Sequence, residues 1–159
     1  MEKETLKNIF KFLEKNDNIK APFIWKLENN IPFSKEDLKV DGYLILNHTE
    51  ITSLPKDLQV NGFLNLRNSN IETLPEGLKV GDYLDLRKTK ITSLPEGLEV
   101  GSYLDIEDTK ITSLPKGLQV GSSLYIDETQ LTKYSDDELR EMVKPGFIKG
   151  DIIRQWRQK

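Results

Sequence analysis

Between residues 31 and 130 the apolar residues return to the same offsets every twenty positions. The copies run 31–50, 51–70, 71–90, 91–110 and 111–130, and a partial sixth begins at Leu131 and soon leaves the pattern. In the second copy the repeated positions hold Ile51, Leu54, Leu58, Val60, Leu64 and Leu66; in the fifth they hold Ile111, Leu114, Leu118, Val120, Leu124 and Ile126. This spacing does not follow a helical period. The segment Tyr83-Leu84-Asp85-Leu86 alternates as a strand does, with the leucines facing one way and Tyr83 and Asp85 the other. Twenty residues are too few for a crossover helix plus strand and turns. Each copy is therefore expected to form one coil of a solenoid, with one short strand per coil pairing in parallel with its neighbours at about 4.8 Å and an extended, turning back side.

The polar and special residues fit that reading. Asp41-Gly42, Asn61-Gly62, Gly81-Asp82, Gly101-Ser102 and Gly121-Ser122 put a turn before every strand. Pro55, Pro75, Pro95 and Pro115, each after a leucine, suit an arc outside the hydrogen-bonded ladder. Thr49, Ser69, Thr89, Thr109 and Thr129 form a column of small hydroxyls expected to satisfy coil backbone groups.

A solenoid needs its terminal apolar cross-sections covered, so unlike ends are expected. Residues 1–30 read as a helical N-terminal cap: Leu6, Ile9, Phe10 and Leu13 recur at helical spacing over 3–15, followed by Pro22-Phe23-Ile24-Trp25 and Leu27. Membrane docking is the alternative use of that first helix. Residues 135–159 read as a helical C-terminal cap, started by the capping box Ser135-Asp136-Asp137-Glu138 and stopped by Pro145-Gly146. Phe147, Ile148, Ile152, Ile153 and Trp156 then suggest a last short helix, and this tail is an alternative partner-binding segment. With the repeats at 31–134, the three parts are expected to make one structural domain.

The unit LPxxLxVxxxLxLxxTxIxxLP resembles the short leucine-rich repeats of bacterial and phage proteins, with Thr or Ser where the strand signature usually has Asn. Its LPxxL segment is similar to the repeats of leucine-rich effectors secreted by bacterial pathogens. The first copy departs from the unit, with Pro32 early and Lys35 at the later proline position. The resemblance covers 31 to about 134 and implies a right-handed leucine-rich-repeat solenoid, its strand ladder concave and used for binding protein partners.

If the repeated leucines fill the interior, the letters between them make the exposed wall, and these are the ones that vary. One column reads Tyr43, Phe63, Tyr83, Tyr103, Ser123; the next reads Ile45, Asn65, Asp85, Asp105, Tyr125; the third reads Asn47, Arg67, Arg87, Glu107, Asp127; beyond lie His48, Asn68, Lys88, Asp108 and Glu128. Stacked aromatics offer amphipathic contact area and also stabilise a ladder. Arg67, Arg87 and Lys88 give way to Asp105, Glu107, Asp108, Asp127 and Glu128, and stacked like charges cost stability unless screened or matched by a partner. The expected partner-binding residues are Tyr43, Phe63, Tyr83 and Tyr103 for contact area, with Asp85, Asp105, Tyr125, Arg67, Arg87, Glu107 and Asp127 for selectivity. A basic protein surface is the first candidate for the acidic end and a Ca²⁺ ion the second.

Composition narrows the rest. The chain has 23 Lys plus Arg against 26 Asp plus Glu and no cysteine, which removes disulfides, thiolate metal sites and cysteine nucleophiles. Only three basic side chains gather on the strand face, beside acidic coils, so nucleic acid is not an expected partner. His48 is the single histidine, there is no phosphate-loop motif, and insertions that would build a cleft are absent from the repeats. The expectation is a non-catalytic protein-binding module without cofactor or metal, of the kind a phage or bacterium uses to inhibit a host or defence protein. The competing class is a carbohydrate-active or calcium-binding solenoid using the clustered carboxylates. A charged N-terminus and no apolar stretch of membrane-spanning length point to the cytoplasm. Self-association is the risk of a bare aromatic ladder.

Overall fold

The computed structural model describes residues 4, 5, 7–9 and 22–155. They fall into two compact units, residues 1–37 and 38–159. In the first, residues 4, 5 and 7–9 are helical; the remainder of the helix expected over 3–15 lies outside the described residues. Helix α1 (Phe23–Glu28) follows. Phe23 packs on Phe33 with ring centroids 4.8 Å apart, and the buried Lys26 ammonium donates to Asp37 Oδ2 at 2.8 Å. Burial raises the Asp37 carboxyl, but the Lys26 ammonium and the Ser34 amide outweigh it and hold it below its ordinary value.

The second unit is a repeat solenoid of parallel strands. Each coil contributes two strands of two residues rather than the single strand expected. One sheet stacks β1 (Lys39–Val40), β3 (Gln59–Val60), β5 (Lys79–Val80), β7 (Glu99–Val100), β9 (Gln119–Val120) and β11 (Phe147–Ile148). The other stacks β2 (Leu44–Ile45), β4 (Leu64–Asn65), β6 (Leu84–Asp85), β8 (Leu104–Asp105), β10 (Leu124–Tyr125) and β12 (Ile152–Ile153). The extra sheet comes from the Val60-type position. Its side chain turns inward while its neighbours bond to the adjacent coil, as when Gln59 N–H donates to Leu38 C=O at 2.8 Å and Asn61 N–H to Val40 C=O at 2.9 Å. The glycine-containing pair then bends the chain between the two sheets.

Register is the repeat itself. Leu64 pairs with Leu84, Leu84 with Leu104 and Val80 with Val100, so equivalent letters of successive copies lie side by side. The repeated apolar positions are the interior: Leu58, Leu64, Leu66, Ile71, Leu84, Leu86, Ile91, Leu104, Ile106, Ile111, Leu118 and Ile126 are at most 1% exposed or fully buried. Burying each such side chain stabilises the fold by about 1.5–3 kcal/mol before conformational entropy is counted. The hydroxyl column does what its residue type suggests. Thr49, Ser69, Thr89, Thr109 and Thr129 each donate to the carbonyl three residues back, at 2.6–2.7 Å.

The C-terminal segment continues both sheets. Helix α2 (Asp136–Met142) has the expected capping box, in which Ser135 Oγ accepts from Glu138 N–H and the Glu138 carboxylate accepts from Ser135 N–H. The last short helix expected at Phe147, Ile148, Ile152 and Ile153 is instead β11 and β12, paired with β9 and β10. Backbone bonding to a ready ladder outweighs the weak helical spacing of four apolar residues. Trp156 lies outside the described residues. Arg140 donates to the carbonyls of Ile148 and Gly150, and Arg154 to the Tyr134 carbonyl and Asp136, so guanidinium groups satisfy backbone acceptors at this end.

Two columns adopt left-handed backbone. His48, Asn68, Lys88, Asp108 and Glu128 have φ between 52° and 58°, and Asp57, Gly77, Gly97 and Gly117 have φ of 59°, 76°, 68° and 75°. A Cβ added at Gly97 meets nothing within 4 Å. Gly97→Ala therefore isolates the backbone penalty and is expected to lower stability by about 1 kcal/mol, read by urea denaturation; an unchanged midpoint would contradict the left-handed turn.

Candidate functional site

The outer face of the β2–β12 sheet carries the varying columns. Because parallel strands lie about 4.8 Å apart, identical ring positions on successive coils are held at stacking distance. Tyr43 on Phe63, Phe63 on Tyr83 and Tyr83 on Tyr103 have centroids 4.9, 4.6 and 4.7 Å apart, with ring planes within 4° of parallel. Where Ser123 ends this column, Tyr125 from the neighbouring column meets Tyr103 edge-on at 5.7 Å and 75°. Tyr43 is 63% exposed and Ile45 beside it 47%. Burial raises the Tyr103 hydroxyl to about 12, and Tyr83 shifts the same way for the same reason.

The next column differs from the sequence expectation. Asp85 and Asp105, expected in solvent, are 3% and 2% exposed. They sit opposite each other in register on β6 and β8, flanked along the chain by Tyr83 and Tyr103 on one side and Arg87 and Glu107 on the other. Large side chains on both flanks of a strand one coil apart leave little room for water over the short carboxylates between them. These two are therefore corrected from exposed selectivity residues to buried members of a charged network. Arg87 grips Asp85 through Nε–H to Oδ1 at 3.0 Å and an NH2 nitrogen to Oδ2 at 2.6 Å, and its Nε lies 3.2 Å from Asp105 Oδ2. The hydrogen bonds to Asp85 raise the affinity of Arg87 for its proton further.

One guanidinium cannot fully serve two buried carboxylates. Burial pushes the Asp105 carboxyl up to about 7, against the Glu107 amide at 3.2 Å from its Oδ1 and against the nearby Arg87. Its ion pair to Arg87 and its raised value are consistent because the guanidinium is turned mainly to Asp85. Burial also raises Glu107, whose Oε1 is buried without a hydrogen-bond partner. Arg67, Arg87, Lys88, Glu107, Asp108, Asp127 and Glu128 line a shallow cleft of about 250 Å³ at the edge of this face. His48 is exposed and its Nδ1 is 2.8 Å from Asn68 Nδ2, a contact between equivalent positions of two coils.

The structure thus brings Tyr43, Phe63, Tyr83, Tyr103 and Tyr125 into one aromatic wall, and Arg67, Arg87, Glu107 and Asp127 onto its charged margin. Sequence reasoning missed the shared Arg87 network. Its signal was present in Asp85 and Arg87 two apart on one strand face and Asp85 and Asp105 twenty apart on adjacent coils. A second cleft, of about 450 Å³ and lined among others by Gln59, Lys79, Glu99, Gln119 and Phe147, lies over the β1–β11 sheet. Lys79 and Glu99 pair across it at 2.8 Å, both half exposed. Among the described residues no helix is long and apolar enough to cross a membrane, and no group of three or more His, Asp or Glu is placed to hold a metal ion. No protein-family signature, no curated protein and no solved structure matches this chain.

Proposed function

We propose that the chain is a leucine-rich-repeat solenoid of the short bacterial or phage type, capped at both ends, that binds another protein through the outer face of the β2–β12 sheet and performs no catalysis. The observation that carries this reading is the aromatic ladder of Tyr43, Phe63, Tyr83 and Tyr103, parallel to within 4°. Rings stacked on one another and fixed to a hydrogen-bonded ladder lose little conformational freedom on binding, and tyrosine supplies both apolar area and a hydroxyl. The charged margin of Arg67, Arg87, Glu107 and Asp127 then discriminates among partners. A cytoplasmic factor that obstructs a host or defence protein fits such a surface. The carbohydrate-active reading would draw its acid and base from Asp85, Asp105, Glu107 and Asp127; of these Asp85 and Asp105 are paired with Arg87, which favours the protein-binding reading.

The test is affinity capture from host lysate with wild type and a Tyr83→Ala, Tyr103→Ala double variant whose circular dichroism is unchanged. Recovery of the wild-type partner is expected to fall at least about tenfold, the consequence of losing two hot-spot aromatics at about 1–2 kcal/mol each. Equal recovery would remove the face from the account.

A further inference from the structure

We propose that the outer face of the β2–β12 sheet is complementary to itself, and that two copies of the chain pair through it about a two-fold axis between the third and fourth coils. The pairing uses the same face as the protein-binding reading but does not rest on that reading.

The argument begins with charge. Backbone hydrogen bonds carry the ladder past the strands, Asn68 N–H donating to Arg87 C=O at 2.8 Å, Lys88 N–H to Glu107 C=O at 3.2 Å and Asp108 N–H to Asp127 C=O at 3.1 Å. Arg67, Arg87, Glu107 and Asp127 therefore form a registered row, one residue per coil, and its sign changes at the midpoint: cations on the second and third coils, anions on the fourth and fifth. The adjacent row makes the same change, with Lys88 on the third coil and Asp108 and Glu128 on the next two. Arg87 is engaged with Asp85 and Asp105, but Arg67, Lys88, Asp108, Asp127 and Glu128 form no ion pair among the described residues.

A row that changes sign at its centre matches its own reversed copy. A two-fold interface sets a patch against itself, and an axis lying in the interface parallel to the strands keeps each row over its equivalent while reversing the order of coils. With the axis between the third and fourth coils, Arg67 faces Asp127 of the second copy and Lys88 faces Asp108. Placing it on the third coil sets Lys88 against Lys88, and on the fourth Asp108 against Asp108, so charge selects a single register.

The apolar residues obey the same symmetry. Ile45 on the first coil and Ile153 on the last occupy one row, through Asn65, Asp85, Asp105 and Tyr125. The axis that pairs the charges also sets Ile45, 47% exposed, on the half-buried Ile153 of the second copy, and Tyr83 on Tyr103. Successive rings from Tyr43 to Tyr103 are parallel to within 4°, so this wall is flat and meets a flat copy of itself along its length. Six strands make a strip about 24 Å long. That is small for a specific interface, and the expected dimer is reversible, with a Kd of about 10–100 µM.

Sedimentation velocity of the full chain tests the pairing, from about 5 to about 500 µM at low ionic strength, where exposed charges are least screened. Wild type is expected to pass from monomer to dimer over this range. Arg67→Glu places a carboxylate against Asp127 twice across the axis, and Asp127→Arg places a guanidinium against Arg67 twice; each alone should weaken association at least about tenfold. Mixed in equal amounts, the two variants form a heterodimer in which both contacts are opposite in sign, and its affinity should return to within about threefold of wild type. Lys88→Glu with Asp108→Lys repeats the test on the adjacent row, should circular dichroism show either first variant unfolded. The proposal is overturned if wild type stays monomeric at about 500 µM, if the single variants associate as wild type does, or if the mixture associates no better than its components. A monomeric wild type would leave the protein-binding reading in place, because capture with the Tyr83→Ala, Tyr103→Ala variant decides that reading separately.

Discussion

Gly101→Ala is expected to cost more than about 3 kcal/mol and to leave the repeat region unfolded or nearly so under ordinary conditions. A Cβ built at Gly101 would lie 2.0 Å from the Gly81 carbonyl oxygen and 2.8 Å from its carbon. The obstacle is backbone of the preceding coil, held by the ladder: Gly101 N–H donates to Val80 C=O and Ser102 N–H to Asp82 C=O. It cannot rotate aside as a side chain would. The same collision recurs at Gly81 against Asn61 and at Gly121 against Gly101, so the constraint belongs to the stacking of coils. Gly42 is the control, because a Cβ there meets nothing within 4 Å; Gly42→Ala should stay within about 0.5 kcal/mol of wild type. Urea denaturation of both variants checks the pair. A Gly101→Ala protein as stable as the Gly42→Ala protein would mean that the coils do not approach each other at this turn as described.

The turn glycines show what a sequence can convey and what it conceals. Their position before each strand marks a bend, and the bend is there. Their necessity at Gly81, Gly101 and Gly121 comes from a neighbour twenty residues away, which no local pattern displays. The interior was legible for the opposite reason. In a twenty-residue coil the core positions must repeat, so periodicity alone identified Leu64, Leu84 and Leu104 as neighbours. Two-residue strands such as Gln59–Val60 carry too little alternation to be recognised, and the second sheet was hidden for that reason. The C-terminal strands were hidden by a change of period. Phe147 pairs with Gln119 and Ile152 with Leu124, twenty-eight positions on rather than twenty, with the turn at Gln130–Lys133 and helix α2 occupying the difference.

The aromatic wall was legible as a column of letters, but its closing member was not. Tyr125 belongs to the column of Asp105, and it reaches Tyr103 only because Ser123 leaves a ring's width vacant beside it. Burial of Asp85 and Asp105 has the same kind of origin. Alternation assigns them to the outer face correctly; whether that face is wet at those positions depends on the size of what flanks them. Asn65, in the same column one coil earlier, is half-buried, and its neighbour Arg67 is exposed where Arg87 is drawn in by its two aspartates. Aromatic ladder and internal charged network thus meet within one sheet face.

Asp105→Asn is expected to stabilise the protein at pH 8 and to leave it nearly unchanged at pH 4. The Asp105 carboxyl has an ordinary value of 3.8 and stands at about 7 in the folded chain, chiefly through burial. A carboxyl raised on folding favours the native state fully below its unfolded value; that contribution is lost as the pH rises toward the folded value and is gone above it. The loss accumulates between about pH 4 and pH 7 and amounts to roughly 2–4 kcal/mol. Asparagine keeps an oxygen for the Glu107 amide, now at 3.2 Å from Asp105 Oδ1, and carries no charge to desolvate. Arg87 retains its two-point contact with Asp85. The difference in unfolding free energy, variant minus wild type, should therefore climb as a single step between pH 4 and pH 7 and level off beyond it. Other titrating groups, Glu107 among them, are present in both proteins and largely cancel in that difference. Urea denaturation across this range measures it directly, and a difference that stays flat, or a variant less stable than wild type at pH 8, would show that Asp105 is ionised and well paired with Arg87 throughout.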